Sequence, residues 1–158
     1  PEPLLALTIN FVESIGVPTA RGQTEQTKLG REKFYSSGCA ACHQPTFTTK
    51  LMAGERAHLG KQVIWPYTDL LLHDMGAGLA DGRPDYEASG SEWRTPPLWG
   101  VGLSGLVNGV ETLLHDGRAR NVEEAILWHG GEGEAAQRVF SALDKHEREA
   151  LLAFVESL

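Results

Sequence analysis

The chain has only two cysteines, in the order Cys39-Ala40-Ala41-Cys42, and His43 follows directly. This is C-x-x-C-H, the attachment signature of a c-type haem. The chemistry accounts for the spacing. Each thiol adds across one haem vinyl group, both sulfurs fall along one edge of the porphyrin, and the next residue reaches the iron from the proximal side. Such a cofactor constrains the fold, because an irreversibly held apolar macrocycle supplies core that the chain itself lacks. Two other readings of the motif are weaker. A redox-active C-x-x-C expects a βαβ pattern nearby, and none is visible. A structural zinc site needs four ligands. Two cysteines also exclude a multi-disulfide scaffold and a four-cysteine iron–sulfur centre.

At 158 residues the chain holds one domain, or one and a fraction. With 41% hydrophobic and 22% charged residues it can bury a core. A net charge of -7 without a basic stripe makes it a poor nucleic-acid binder. No apolar run approaches the ~20 residues of a membrane-spanning helix. The chain starts at Pro1, with no basic and apolar leader ahead of it, and is expected to be a processed product or an excised piece.

Hydrophobic periodicity appears at the two ends. Leu4, Leu7, Phe11, Val12 and Ile15 share one face of a helix, and Gly16-Val17-Pro18 end it. A polar linker covers 19–26, and a shorter helix over Thr27–Ser36 stops at Gly38. From Gln44 to about Gly109 the periodicity is poor, with strand-like scraps such as Gln62–Trp65. Loops of that length in a small domain usually wrap something. Order returns at Asn121, which with Glu124 forms a variant capping box. The helix it opens carries Val122, Ala125, Ile126 and His129 on one stripe, and Gly130-Gly131 end it. Another helix follows over about Glu134–Leu143. The last starts at Asp144 with Glu147 three residues on, and buries Leu151, Phe154, Val155 and Leu158. Phe154-Val155-Glu156-Ser157-Leu158 echoes Phe11-Val12-Glu13-Ser14-Ile15. The echo predicts that residues 1–18 are the closing helix of a preceding domain, and 27–158 a c-type cytochrome domain.

Gly30 and Phe34, together with Phe154, resemble the helix-crossing contact of class I c-type cytochromes. Three further runs are Arg94-Thr95-Pro96-Pro97-Leu98, Leu114-His115-Asp116-Gly117-Arg118 and Val122-Glu123-Glu124-Ala125-Ile126. They are similar to the T-P-x-L-R-N, H-D-G and L-E-E-A-V series in the C-terminal haem domain of bacterial di-haem cytochrome c peroxidases. Trp65 to Gly82, with Leu72-His73-Asp74-Met75-Gly76, resembles the thiol-oxidoreductase-like branch of that superfamily. Trp99-Gly100 departs from the usual Arg-Asn. The resemblance runs from Thr27 to the end. It implies an all-α, class I cytochrome c-like fold with long loops and little strand.

The sixth ligand decides between electron transfer and catalysis. The candidates are His129, Met75, His73, His58, His115, Met52 and His146. His129 is the first choice, because it lies on the apolar stripe of its helix. In the resembled family the distal ligand also comes from the helix after H-D-G. Met75, in a Gly-flanked loop, is the rival. His73 with Asp74 and His115 with Asp116 read as local hydrogen-bond pairs, and His58 and His146 as surface residues. Trp65 and Trp128 are candidates for packing on the macrocycle, and Arg94 and Arg118 for pairing with its propionates.

One covalently attached haem c is therefore expected, six-coordinate and engaged in electron transfer. The expected partners are a second haem domain of a parent chain and a small electron-donor protein, and the expected location is the bacterial periplasm. Two alternatives stay open. One is a complete monohaem carrier. The other is a five-coordinate haem peroxidase with His73 or His115 as distal acid/base.

Overall fold

The computed structural model describes residues 2–158; Pro1, the first residue of the predicted closing helix, lies outside the described residues. Helix dominates and strand is scarce. Helices α1 (Glu2–Glu13), α2 (Glu25–Ser36), α3 (Ser104–Asn108), α4 (Val122–Leu127), α5 (Glu134–Ala142) and α6 (Lys145–Glu156) are joined by long loops carrying short 3-10 turns. Two antiparallel ribbons interrupt the loops. One pairs β1 (Phe47–Thr48) with β2 (Val63–Ile64), of which only β2 falls within the expected scrap over Gln62–Trp65. The other pairs β3 (Leu72–Asp74) with β4 (Glu92–Arg94), matching His73 with Trp93. Sequence patterning did not anticipate the second ribbon, because strands of three residues carry no readable alternation.

The frame is the crossing of α2 and α6. Thr24 caps α2 through a reciprocal box with Thr27, and Asp144 caps α6 through one with Glu147. Each box satisfies two backbone donors that a helix start leaves unpaired. At the crossing, a Cβ built on Gly30 would stand 1.9 Å from the Ala150 carbonyl oxygen. Only glycine lets the backbones come this close. Phe34 then packs edge-on against Phe154 at 5.5 Å and against Tyr67 at 5.8 Å. These rings, with Val122, Phe140, Leu151, Val155 and Leu158, form the core.

Helix α1 behaves differently. Its apolar face is open, with Leu7 at 65% and Phe11 at 68% exposed. The apolar residues of its echo, at the end of the chain, are buried, with Phe154 at 6% and Val155 at 5%. An ion pair from Glu13 to Arg56 at 3.0 Å ties its end to the body.

Candidate functional site

Gly38, at φ 86°, breaks α2 and turns the chain into the 3-10 turn Cys39–Ala41. His43 N–H closes this turn on the Cys39 carbonyl at 2.9 Å, so the cysteines and the histidine are presented together at the end of α2. Both thiols are free and partly buried. Burial pushes Cys39 up to about 11. Cys42 is also raised, by burial and then by the carboxylate of Asp69. A catalytic dithiol needs the opposite, a depressed thiol that is thiolate near neutrality.

The His43 ring sits beside the aromatic cluster, 6.4 Å from Phe34. Its Nδ1–H donates to the Tyr67 carbonyl at 3.0 Å. A backbone carbonyl only accepts, so this bond fixes the tautomer and leaves Nε2 with its lone pair. Tyr67 aims that carbonyl from a left-handed conformation, φ 54°. Burial lowers the His43 pKa to about 4, against the raising effect of the Tyr67 bond. The ring is therefore neutral at physiological pH, as a metal ligand must be.

His129 lies close to this ring. It lies just past α4, which Asn121 caps by accepting from Glu124 N at 2.8 Å. The reciprocal half of the expected capping box is absent: the Glu124 side chain turns to Arg120 instead. The helix ends at Leu127, so His129 belongs to the turn beyond its cap, Trp128. His129 Nδ1–H donates to the Ala125 carbonyl at 2.7 Å, which again leaves Nε2 free. Burial lowers its pKa too. The two ring centres lie 6.5 Å apart. A metal–imidazole bond is about 2 Å, so two imidazoles on opposite sides of one metal ion have centres about 6 Å apart.

Other predicted residues fall around this pair. The Met75 methyl and the His129 ring both border Gly133, so Met75 flanks His129. Trp65 is half exposed, and Trp128 lies 42% exposed under the Arg118 guanidinium at 4.8 Å. Arg118 pairs with Asp116 and donates to the Gly78 carbonyl. Arg94 reaches the Thr95 carbonyl at 3.5 Å.

The two expected local histidine pairs need correction. His115 stacks flat on Trp93 at 3.5 Å and sits 3.9 Å from Asp116, beyond a hydrogen bond. His73 is not paired with Asp74. Its Nε2 meets Asp69 at 2.9 Å and its Nδ1 meets Glu132 at 2.8 Å. With a carboxylate at each nitrogen the ring carries both protons, and the Glu132 bond followed by the Asp69 bond raises its pKa. Donor atoms of Cys42, Asp69 and His73 lie within 4.8 Å of one another. A doubly protonated His73 has no lone pair for a metal, so the group reads as a hydrogen-bonded cluster beside the cysteine. His58 and His146 are exposed.

Tyr67, Asp69 and Glu132 were not singled out from the sequence. A backbone carbonyl leaves no trace in residue type, and Glu132 lies 59 residues from its partner. Asp69, four residues before His73, was the one legible partner.

A mostly helical frame that brings two partly buried histidines together beside a C-x-x-C-H pair of cysteines fits a haem-binding protein. Residues 6–158 match the family described as "Di-haem oxidoreductase, putative peroxidase", and the chain belongs to that family. No curated protein and no solved structure matches it. Among the described residues no helix is long and apolar enough to cross a membrane.

Proposed function

We propose that this chain is an electron-transfer domain holding one haem c, tethered through Cys39 and Cys42 and gripped by His43 and His129. Each attachment adds one S–H across a vinyl group, sulfur to one carbon and hydrogen to the other, with no oxidant consumed. Raised cysteine pKa values suit such a thiol precursor. When bound, the group supplies a one-electron ferric/ferrous couple. The chain's own residues do the rest. His43 and His129 present Nε2, the Tyr67 and Ala125 carbonyls hold their orientation, and the Phe34–Tyr67–Phe154 cluster keeps water from the proximal side. Two imidazoles favour ferric iron more than an imidazole and a thioether do, so the potential lies at the low end.

The observation that carries this reading is the 6.5 Å separation of two histidine rings whose Nδ1 atoms are both committed to backbone carbonyls. The peroxidase alternative finds less support. His73 has both nitrogens engaged by carboxylates and His115 is stacked on Trp93, so neither offers a free acid/base. The open apolar face of α1, echoing the buried face of α6, suits docking on a second haem unit. The acidic balance suits a basic donor protein. Thioether attachment in bacteria suits the periplasm.

The test is the spectrum of the haem-loaded chain. The ferric protein is expected to be low-spin and indifferent to cyanide and azide, and His129→Ala is expected to be high-spin and to bind both. An unchanged spectrum in the variant removes His129, and a Met–iron charge-transfer band would replace it with Met75.

A further inference from the structure

We infer that His73 is a positioning residue: with Asp69 and Glu132 it forms a bracket that holds His129 at its distance from His43. The inference rests on the reading of His43 and His129 as the two iron ligands.

The local chain orients the His129 ring through the Ala125 carbonyl and bonds its N–H to the Ile126 carbonyl, but it does not by itself fix the position of the segment that carries it. Helix α4 has six residues and ends two positions before it. The residues after it are Gly130-Gly131-Glu132-Gly133, and glycine loses more conformational freedom on ordering than any other residue. Contacts from outside this segment set where the glycine loop lies.

The holding contacts come from β3. Glu132 uses both carboxylate oxygens there, one accepting from His73 Nδ1 at 2.8 Å and the other from Asp74 N at 3.0 Å. A Cβ on Gly131, itself at φ 52°, would stand 2.2 Å from the Asp74 carbonyl oxygen, and one on Gly130 would stand 3.0 Å from that of Met75. The glycine loop is thus laid directly on the 74–76 backbone.

The same ring reaches the proximal side. His73 Nε2 binds Asp69 at 2.9 Å, and Asp69 is anchored by Leu71 N at 2.9 Å. Two residues before Asp69 is Tyr67, whose carbonyl orients His43. A continuous path therefore runs from His43 through Tyr67, Asp69, His73 and Glu132 to His129. Its geometry spans both faces of the site along the edge where Cys42 lies.

An exposed ion pair alone would contribute little. Here the His73 and Asp69 side chains are only 16% and 10% exposed, and Glu132, though 57% exposed, adds a bond from the Asp74 N–H to its charge-assisted bond with His73. Loosening the bracket frees the glycine loop and lets His129 leave the sixth position.

The experiment uses the haem-loaded full chain and reads ferric spin state and cyanide affinity in His73→Gln, Glu132→Gln and His129→Ala. Glu134→Gln is the control, since Glu134 follows the same segment and, among the described residues, pairs within its own helix, with Arg138. The expected result is a high-spin fraction and at least tenfold tighter cyanide binding in the first two variants, full high-spin character in the third, and no change in the control. Glu132 is exposed, so its variant decides the matter where His73→Gln does not fold. Wild-type behaviour of Glu132→Gln beside a high-spin His129→Ala overturns the bracket and leaves the ligand assignment standing. A His129→Ala protein with the wild-type spectrum overturns the ligand assignment, and the bracket with it.

Discussion

Gly30 sets a close approach between α2 and α6. A methyl at this position would meet the Ala150 carbonyl at 1.9 Å and the Phe154 Cβ at 2.7 Å, and neither can swing aside as a flexible side-chain tip would. Gly30→Ala is expected to destabilise by about 3 kcal/mol, the upper end of the usual overpacking penalty. Denaturant unfolding of the haem-loaded chain measures it. Gly30 and Phe34 were legible in the sequence because, with Phe154, they resemble the helix-crossing contact of class I c-type cytochromes. The Tyr67 carbonyl was not, because its role comes from a backbone angle and not from its side chain.

The last helix shows how a few residues fix an element. Asp144 accepts from Glu147 N at 2.9 Å, Glu147 returns a carboxylate to Asp144 N at 3.2 Å, and the same Glu147 pairs with Lys33 of α2. One carboxylate thereby caps α6 and staples it to its partner. Asp144→Ala is expected to cost about 1 kcal/mol, the usual cost of losing an N-cap, seen as a lower denaturation midpoint with an unchanged slope. The caps of α4 and α6 could be read directly, since capping is local chemistry with fixed offsets. The β3–β4 ribbon could not, because β3 gains its meaning only from β4 and from Glu132. His73 was assigned to its neighbour Asp74 for the same reason: proximity in sequence stood in for proximity in space.

For the molecule as a whole, the bracket should leave a signature in the pH dependence of stability. The His73 pKa lies above its ordinary 6.5, so its contribution is fully present below 6.5 and is lost as pH rises through the folded value. Burial works against the Asp69 carboxylate, but its hydrogen bonds from Leu71 and His73 prevail and hold its pKa below 3.8. The bond to His73 holds Glu132 below 4.5. Their contributions are present above those ordinary values and are lost as pH falls through the folded ones. The difference in unfolding free energy between the wild-type chain and His73→Gln is therefore expected to be greatest between pH 4.5 and 6.5 and to shrink on the alkaline side. A series of denaturation curves across pH checks this. The left-handed turn at Tyr67 has a consequence for biogenesis. That turn disfavours any side chain larger than glycine by roughly 1–2 kcal/mol, so a newly made polypeptide adopts it only as a minor population. Before maturation the imidazole next to Cys42 carries its proton on either nitrogen, and the choice is made only when the surrounding chain closes.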